Sequence, residues 1–150
     1  MEEAAAINTF ELVRAGLAKP RLACLATMTA DQRPWVRYVM LSADQDLNLF
    51  VATFKNSRKV QQIEKNPEVH LAVDVELPDF PKQYLQIEAI ASVSEAIELK
   101  TKLWTESMQA YFSGPEDDKL TIIVMRPYRI ELYDMRSMEP SIWESEGADA

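Results

Sequence analysis

Between residues 21 and 53, three apolar runs follow one another with connections too short to hold a crossover. The runs 21–29, 35–43 and 47–53 are joined by Ala30-Asp31-Gln32-Arg33-Pro34 and by Asp44-Gln45-Asp46. Parallel neighbours need a dozen or so residues between them, usually a helix, so turns this short admit only antiparallel pairing. The opening third of the chain is therefore expected to be an antiparallel meander, and the rest must extend it.

The remaining pattern does so. Residues 68–75 read as a fourth strand, and 76–82, with Pro78 and Pro81, as a loop. Residues 83–94 are β-rich and form a fifth strand. The last apolar run, 120–125, continues past Pro127 into 128–133. Helical spacing appears in three places. Ile7, Phe10, Val13 and Leu17 predict a helix over 3–18, stopped by Lys19-Pro20. Val60 and Ile63 give a short helix an inward face, with Ser57 as its N-cap and Asn66-Pro67 as its stop. Ile97, Leu99, Leu103 and Trp104 predict a third over 97–109. About six strands with three outer helices suggest a small closed antiparallel β-barrel, in which closure removes exposed edges. Residues 1–138 are expected to be one domain.

Charge and composition exclude several functions. The net charge of −8 argues against nucleic acid as a general partner. Residues 139–150 carry Glu139, Glu144, Glu146 and Asp149 with no basic residue, and read as a mobile acidic extension. No apolar stretch is long enough to span a membrane, and the start Met1-Glu2-Glu3-Ala4 is acidic where a signal peptide would be basic. With one cysteine, Cys24, no internal disulfide can form, so a cytoplasmic location is expected. Cys24 itself reads as a small core residue. The three glycines, Gly16, Gly114 and Gly147, are too far apart for a phosphate-binding glycine loop. One His and one Cys cannot complete a structural zinc set, so no metal is expected.

A phosphate would then have to be held by side chains and a helix start. The helix beginning Ser57-Arg58-Lys59 puts two cations in its first turn, beside the positive end of the dipole. That arrangement is unfavourable unless an anion sits there. Arg37 lies on the same strand face as Trp35, Val39 and Leu41, and needs an anion if it is buried. Thr53, ending the next strand, can reach the same region. Arg37, Thr53, Arg58 and Lys59 are thus candidates for one anion site. The competing reading is of surface cations in water.

These residues carry a family resemblance. Arg37-Tyr38-Val39-Met40-Leu41, Thr53, Ser57-Arg58-Lys59 and Asn66-Pro67 resemble the pyridoxamine 5′-phosphate oxidase-like FMN-binding split barrels. Ala23-Cys24-Leu25-Ala26-Thr27 with Arg33-Pro34 is similar to that family's first hairpin. Leu103-Trp104, Ala110-Tyr111-Phe112, Gly114, Asp117-Asp118 and the closing run from Arg126 to Tyr133 resemble its general-stress branch.

The resemblance implies a split β-barrel and a homodimer with FMN at the subunit interface. By position, Arg37, Arg58 and Lys59, with Ser57, would hold the phosphate. Tyr38, Val39 and Met40 would face the isoalloxazine ring, Ala52 and Thr53 would line the ribityl-phosphate region, and Gln83 would reach the flavin from the other subunit. A flavin-dependent oxidoreductase acting on an unidentified small molecule by hydride transfer is the implied function. A non-catalytic flavin-binding or sequestering stress protein is the alternative, as is a deazaflavin-dependent reductase on the same fold. The chain also departs from the family. Ser42 replaces a substrate-contacting lysine, and no Arg-x-His motif follows Met135, so pyridoxamine phosphate oxidation is not the expected reaction. Ala89 stands where glycine is common, and Tyr111 and Tyr133 where tryptophan is common. No catalytic acid or base can be named.

Overall fold

A computed structural model describes residues 8–76, 82–134 and 139–145. The elements are helix α1 (Thr9–Gly16), strands β1 (Arg21–Met28), β2 (Pro34–Ala43) and β3 (Leu49–Phe54), helix α2 (Arg58–Lys65), strands β4 (Glu68–Val75) and β5 (Gln83–Ser94), helix α3 (Ile97–Leu103), a 3-10 turn (Glu106–Ala110), and strands β6 (Leu120–Asp134) and β7 (Ser141–Glu144). The strands lie in the order β3-β2-β1-β4-β5-β6-β7, and a further β3–β6 pairing closes six of them into an antiparallel barrel. The split barrel expected from the sequence is the observed fold.

The turns explain the meander. Gln32 and Leu47 take left-handed backbone angles (φ 61 and 62), so each hairpin reverses within a few residues. A leucine is unusual in that region. It is held by the Asp44 carboxylate, which accepts from the N–H groups of Asp46 and Asn48 at 3.0 and 2.9 Å, while the Leu47 side chain is buried. This is why β3 begins at Leu49, two residues later than the apolar run implies.

The barrel interior is filled by alternate residues of each strand, among them Leu25, Leu49, Leu71, Leu85, Ile87 and Met125. Val60 and Ile63 of α2 close one end, where that helix packs against β1 and β5. Outside the barrel a second cluster, Phe50, Phe112, Leu120 and Ile122, lies under α3 and the 3-10 turn.

β6 serves two partners in succession. Residues 120–125 pair with β3, and 129–132 pair with β7. Pro127 falls between the two ladders, where its missing N–H costs nothing. The β5–β6 register shifts between Glu88 and Ala89, opposite this point.

Three expectations change. Asn8 is the N-cap of α1, its side chain accepting from the Phe10 N–H, so α1 runs from Thr9 to Gly16 within the expected 3–18 span, of which residues 3–7 lie outside the described residues. The helix expected over 97–109 is two pieces. Trp104 and Thr105 are extended (ψ 134 and 158), which lets Leu103, Trp104 and Met108 all reach the second cluster. The extension expected from residue 139 is not free over Ser141–Glu144. Those residues form β7, with Trp143 against Phe10 at 5.7 Å and Glu144 paired to Arg129 at 3.3 Å. An apolar ring on α1 and a cation on β6 outweigh the acidity. Residues 146–150 lie outside the described residues.

Candidate functional site

β2 and β3 pair only at Ser42–Phe50 and Ala43–Leu49, then part. α2, a few residues beyond β3, crosses to the end of the barrel and meets β2 through side chains. Arg37 is the link. It donates through one terminal nitrogen to Thr27 Oγ1 at 2.7 Å and to the carbonyls of Leu25 and Trp35, both at 3.2 Å. Its other terminal nitrogen donates to Gln62 Oε1 on α2 at 3.0 Å. Thr27 also donates to the same amide oxygen. Arg37 is therefore oriented by four neutral acceptors and half-buried.

Three cations meet here. Burial, then the nearby Arg58 guanidinium, push the Arg37 pKa below the usual arginine value. Burial, then Arg37, push Lys59 below the usual lysine range. Among the described residues no carboxylate lies within ion-pairing distance of Arg37, Arg58 or Lys59. Desolvated like charges without a counter-ion cost free energy. Arg58 is held by stacking of its guanidinium over the Trp35 ring, 5.2 Å from the centroid.

Ser57 occupies the N-cap position of α2 but makes no capping bond, and its buried Oγ has no partner. The sequence predicted a capping hydroxyl. Instead α2 has an orphaned hydroxyl and uncapped first-turn N–H groups, two cations in that turn and no acid. A phosphate fits this set: it accepts from Oγ, from the N–H groups and from guanidinium and ammonium at once. The approach to Ser57 is fixed by the Lys55 N–H donating to the Lys119 carbonyl at 2.8 Å, and by Lys55 near Glu95 at 3.8 Å. Glu95 is itself tied to buried Lys100 at 3.0 Å and to Thr121.

The other sequence candidates are distributed as follows. Val39 points into the barrel and is buried, whereas Tyr38 and Met40 point outward, 71% and 57% exposed. Thr53 is buried opposite Thr121, and Ala52 packs on the second cluster. Gln83 is buried with an unpartnered Oε1. It lies four residues along β5 from Ile87, which shares a row with Leu71, Leu25 and Arg37. That spacing is about 13 Å, so within one chain Gln83 does not join the cations.

Sequence reasoning missed Thr27 and Gln62, the two side chains that aim Arg37. Thr27 gave a faint signal, as a hydroxyl on the inward register of an apolar strand. Cys24, read as core, is on the outward face of β1, opposite Tyr38. Beside it Leu22 faces Met40 and Ala26 faces Val36. Leu22, Val36, Tyr38 and Met40 are all exposed, so the outer face of this hairpin is a continuous apolar surface. No helix among the described residues is long and apolar enough to cross a membrane.

Known proteins resemble this chain in sequence and fold. Over 108 residues the chain is 29% identical to general stress protein 26 of Bacillus subtilis (strain 168), covering 72% of this chain and 76% of that protein. It is 32% identical over 106 residues to a pyridoxine/pyridoxamine 5′-phosphate oxidase of Serratia proteamaculans (strain 568), covering 71% of this chain but only 44% of that enzyme. The crystal structure of general stress protein 26 from Bacillus anthracis str. Sterne superposes with a TM-score of 0.79 at 27% identity, covering 93% of this chain and 100% of that one. A family model for pyridoxamine 5′-phosphate oxidase matches residues 10–134. With most of its length matched, the chain belongs to the pyridoxamine 5′-phosphate oxidase family.

Proposed function

We propose that this protein binds FMN as a homodimer and acts as a flavin-dependent oxidoreductase on a small molecule. One observation carries the reading: Arg37, Arg58 and Lys59 crowd one another with no acidic partner among the described residues, at the helix start whose N-cap hydroxyl, Ser57 Oγ, is buried and orphaned. A phosphomonoester of charge about −2 matches that deficit.

Each residue then has a task. The Arg37 fork, set by Thr27 and Gln62, orients the phosphate, and Trp35 keeps Arg58 in place. Tyr38 and Met40, outward on the same strand, would lie against the ring. A second copy of the chain would cover the apolar face of Leu22, Val36, Tyr38 and Met40 and exclude water from the ring. The redox chemistry would come from the isoalloxazine; the protein's part is anchoring, orientation and the local field. Pyridoxamine phosphate is not the proposed substrate, because Ser42 stands where the family's oxidases carry a lysine.

A second reading is a flavin-sequestering protein without turnover. It is favoured by the make-up of the assembled side chains, which are cations, hydroxyls and an amide rather than a group suited to proton transfer near neutral pH. The visible spectrum of the purified protein and the mass of any released ligand test the flavin assignment and separate FMN from a deazaflavin. Steady-state reduction by NADH or NADPH then separates the two functions. Turnover beyond that of free FMN supports the oxidoreductase; a rate no higher supports sequestration. A colourless protein that takes up no added flavin refutes both.

A further inference from the structure

The outer face of the barrel is not level. In one row across it, Cys24 stands between Tyr38 on β2 and Ala72 on β4. In the next row Asp74 on β4 opposes Tyr84 on β5, whose ring is stacked on Tyr133 at 5.2 Å and 9°. Alternate residues of a strand share a face about 7 Å apart, so the two rows are neighbours. Cys24 and Ala72 are short, whereas Leu22, Tyr38 and Tyr84 are tall. The difference in height leaves a hollow of about 500 Å³, lined by these five side chains and Asp74 among others. Its volume is within the range of small-ligand sites.

The chemistry of this hollow is the reverse of that at the anion site. Asp74 is the one acid among its lining residues, and among the described residues its carboxylate has no hydrogen bond or ion pair. The one cation at the rim, Arg21, is turned away. A terminal nitrogen of its guanidinium donates to the carbonyl of Gly16, the last residue of α1, at 3.4 Å, and its Nε is buried. The uncompensated charge facing the hollow is therefore negative, and it is flanked by two tyrosine rings. A carboxylate beside aromatic rings attracts an organic cation, whereas a phosphate or carboxylate on a ligand would find no free cation there.

We propose that this hollow is the substrate site of the flavoprotein, and that its substrate is a flat organic cation carrying no phosphate or carboxylate. Tyr38 belongs both to the hollow and to the strand face set against the isoalloxazine ring, so a molecule seated here would lie beside the flavin. Its ring would rest over Cys24 and Ala72 between the two tyrosines, with its charge toward Asp74. A second copy resting on the taller side chains would roof the hollow rather than fill it. The assignment rests on the flavin reading above and adds to it the charge of the substrate.

The test uses probes that share one ring and differ in charge: the cation 1-methylnicotinamide, neutral nicotinamide and anionic nicotinate. Each is titrated by chemical-shift NMR into the FMN-loaded wild type, Asp74→Asn and Ala72→Leu, with FMN affinity and thermal melts measured alongside. Both positions are exposed on β4, so the variants should fold. The wild type should bind the cation about tenfold more tightly than the neutral amide, and nicotinate most weakly. Asp74→Asn should bring the cation within about twofold of the neutral amide, and Ala72→Leu, by filling the hollow, should weaken the cation by about tenfold. FMN affinity should change less than about twofold in either variant. A wild type that does not prefer the cation, a preference that survives Asp74→Asn, or cation binding unchanged by Ala72→Leu would overturn the proposal and leave FMN binding standing. If FMN does not bind the wild type, the flavin reading fails and the substrate assignment fails with it.

Discussion

Replacing Arg37 by methionine separates binding from folding. The arginine has five N–H groups, and its contacts to Leu25, Thr27, Trp35 and Gln62 run through the two terminal nitrogens. The Nε–H and one terminal N–H remain for a ligand. Two charge-assisted bonds of about 1.5–3 kcal/mol each set a ceiling of about 3–6 kcal/mol on the loss. Because Arg58 and Lys59 remain, the lower end is expected, near 3 kcal/mol or about 150-fold in Kd. The free protein should lose much less. Thr27 still donates to Gln62, the methionine fills the stem's volume, and repulsion on Arg58 and Lys59 is relieved. A net change within about 1 kcal/mol, or roughly 2–4 °C in Tm, is expected for the unliganded variant. Titration calorimetry with FMN, paired with thermal melts of the ligand-free protein, measures both. An affinity within about threefold of wild type would refute the site. So would a melt that falls as far as the binding energy does, since Arg37 would then be a structural clamp.

Other perturbations probe separate parts of the reading. Lys59 is depressed below its ordinary 10.5 by burial and by Arg37, so the unfolded chain binds its proton more tightly than the folded one does. Its unfavourable contribution to the ligand-free fold should persist below the depressed pKa and lift as pH rises toward 10.5, a trend absent from Lys59→Met in alkaline melts. A phosphate has the opposite effect on Lys59, so FMN binding should take up protons and weaken through the same window, as calorimetry in buffers of different ionisation heat would show. Val36→Glu combined with Tyr38→Glu puts charges on the outer apolar face and should yield a monomer with reduced flavin content by sedimentation; a persistent dimer would place the subunit contact elsewhere. Trp143→Ala removes the ring that joins β7 to Phe10 and should cost about 2 kcal/mol, or about 4–8 °C in Tm, with little effect on FMN affinity.

Most of the barrel could be read from the chain because its signals are local. Short turns demand antiparallel neighbours, and alternation in β4 and β5 states which face is buried. The cations were legible for a related reason, since a first helical turn with Arg58 and Lys59 and no acid is locally unfavourable. What escaped depends on distant partners. Gln62 has no distinguishing pattern until β2 brings Arg37 against it. Trp143 lies in an acidic stretch whose composition suggests solvent, and only the position of Phe10 draws it in. Cys24 sits in a run so apolar that both faces look buried, and the face it occupies is decided by the register with β2. The break at Trp104 was hidden because helical spacing continues through it.

The double pairing of β6 has a consequence for the order in which the molecule can be made. Every side chain of the candidate anion site is synthesised by residue 62, yet β3 has no barrel-closing partner until residues 120–125 exist, when Phe54 meets Leu120 and Leu49 meets Met125. On a ribosome the site would be complete in sequence while β3 still offered a bare edge, the kind of long-range pairing that folds slowly. A chain stopped before Leu120 would keep every residue of the candidate site and still be open along β3. Closure by the final long strand would therefore make the proposed ligand capture a property of the finished barrel rather than of the first half of the chain.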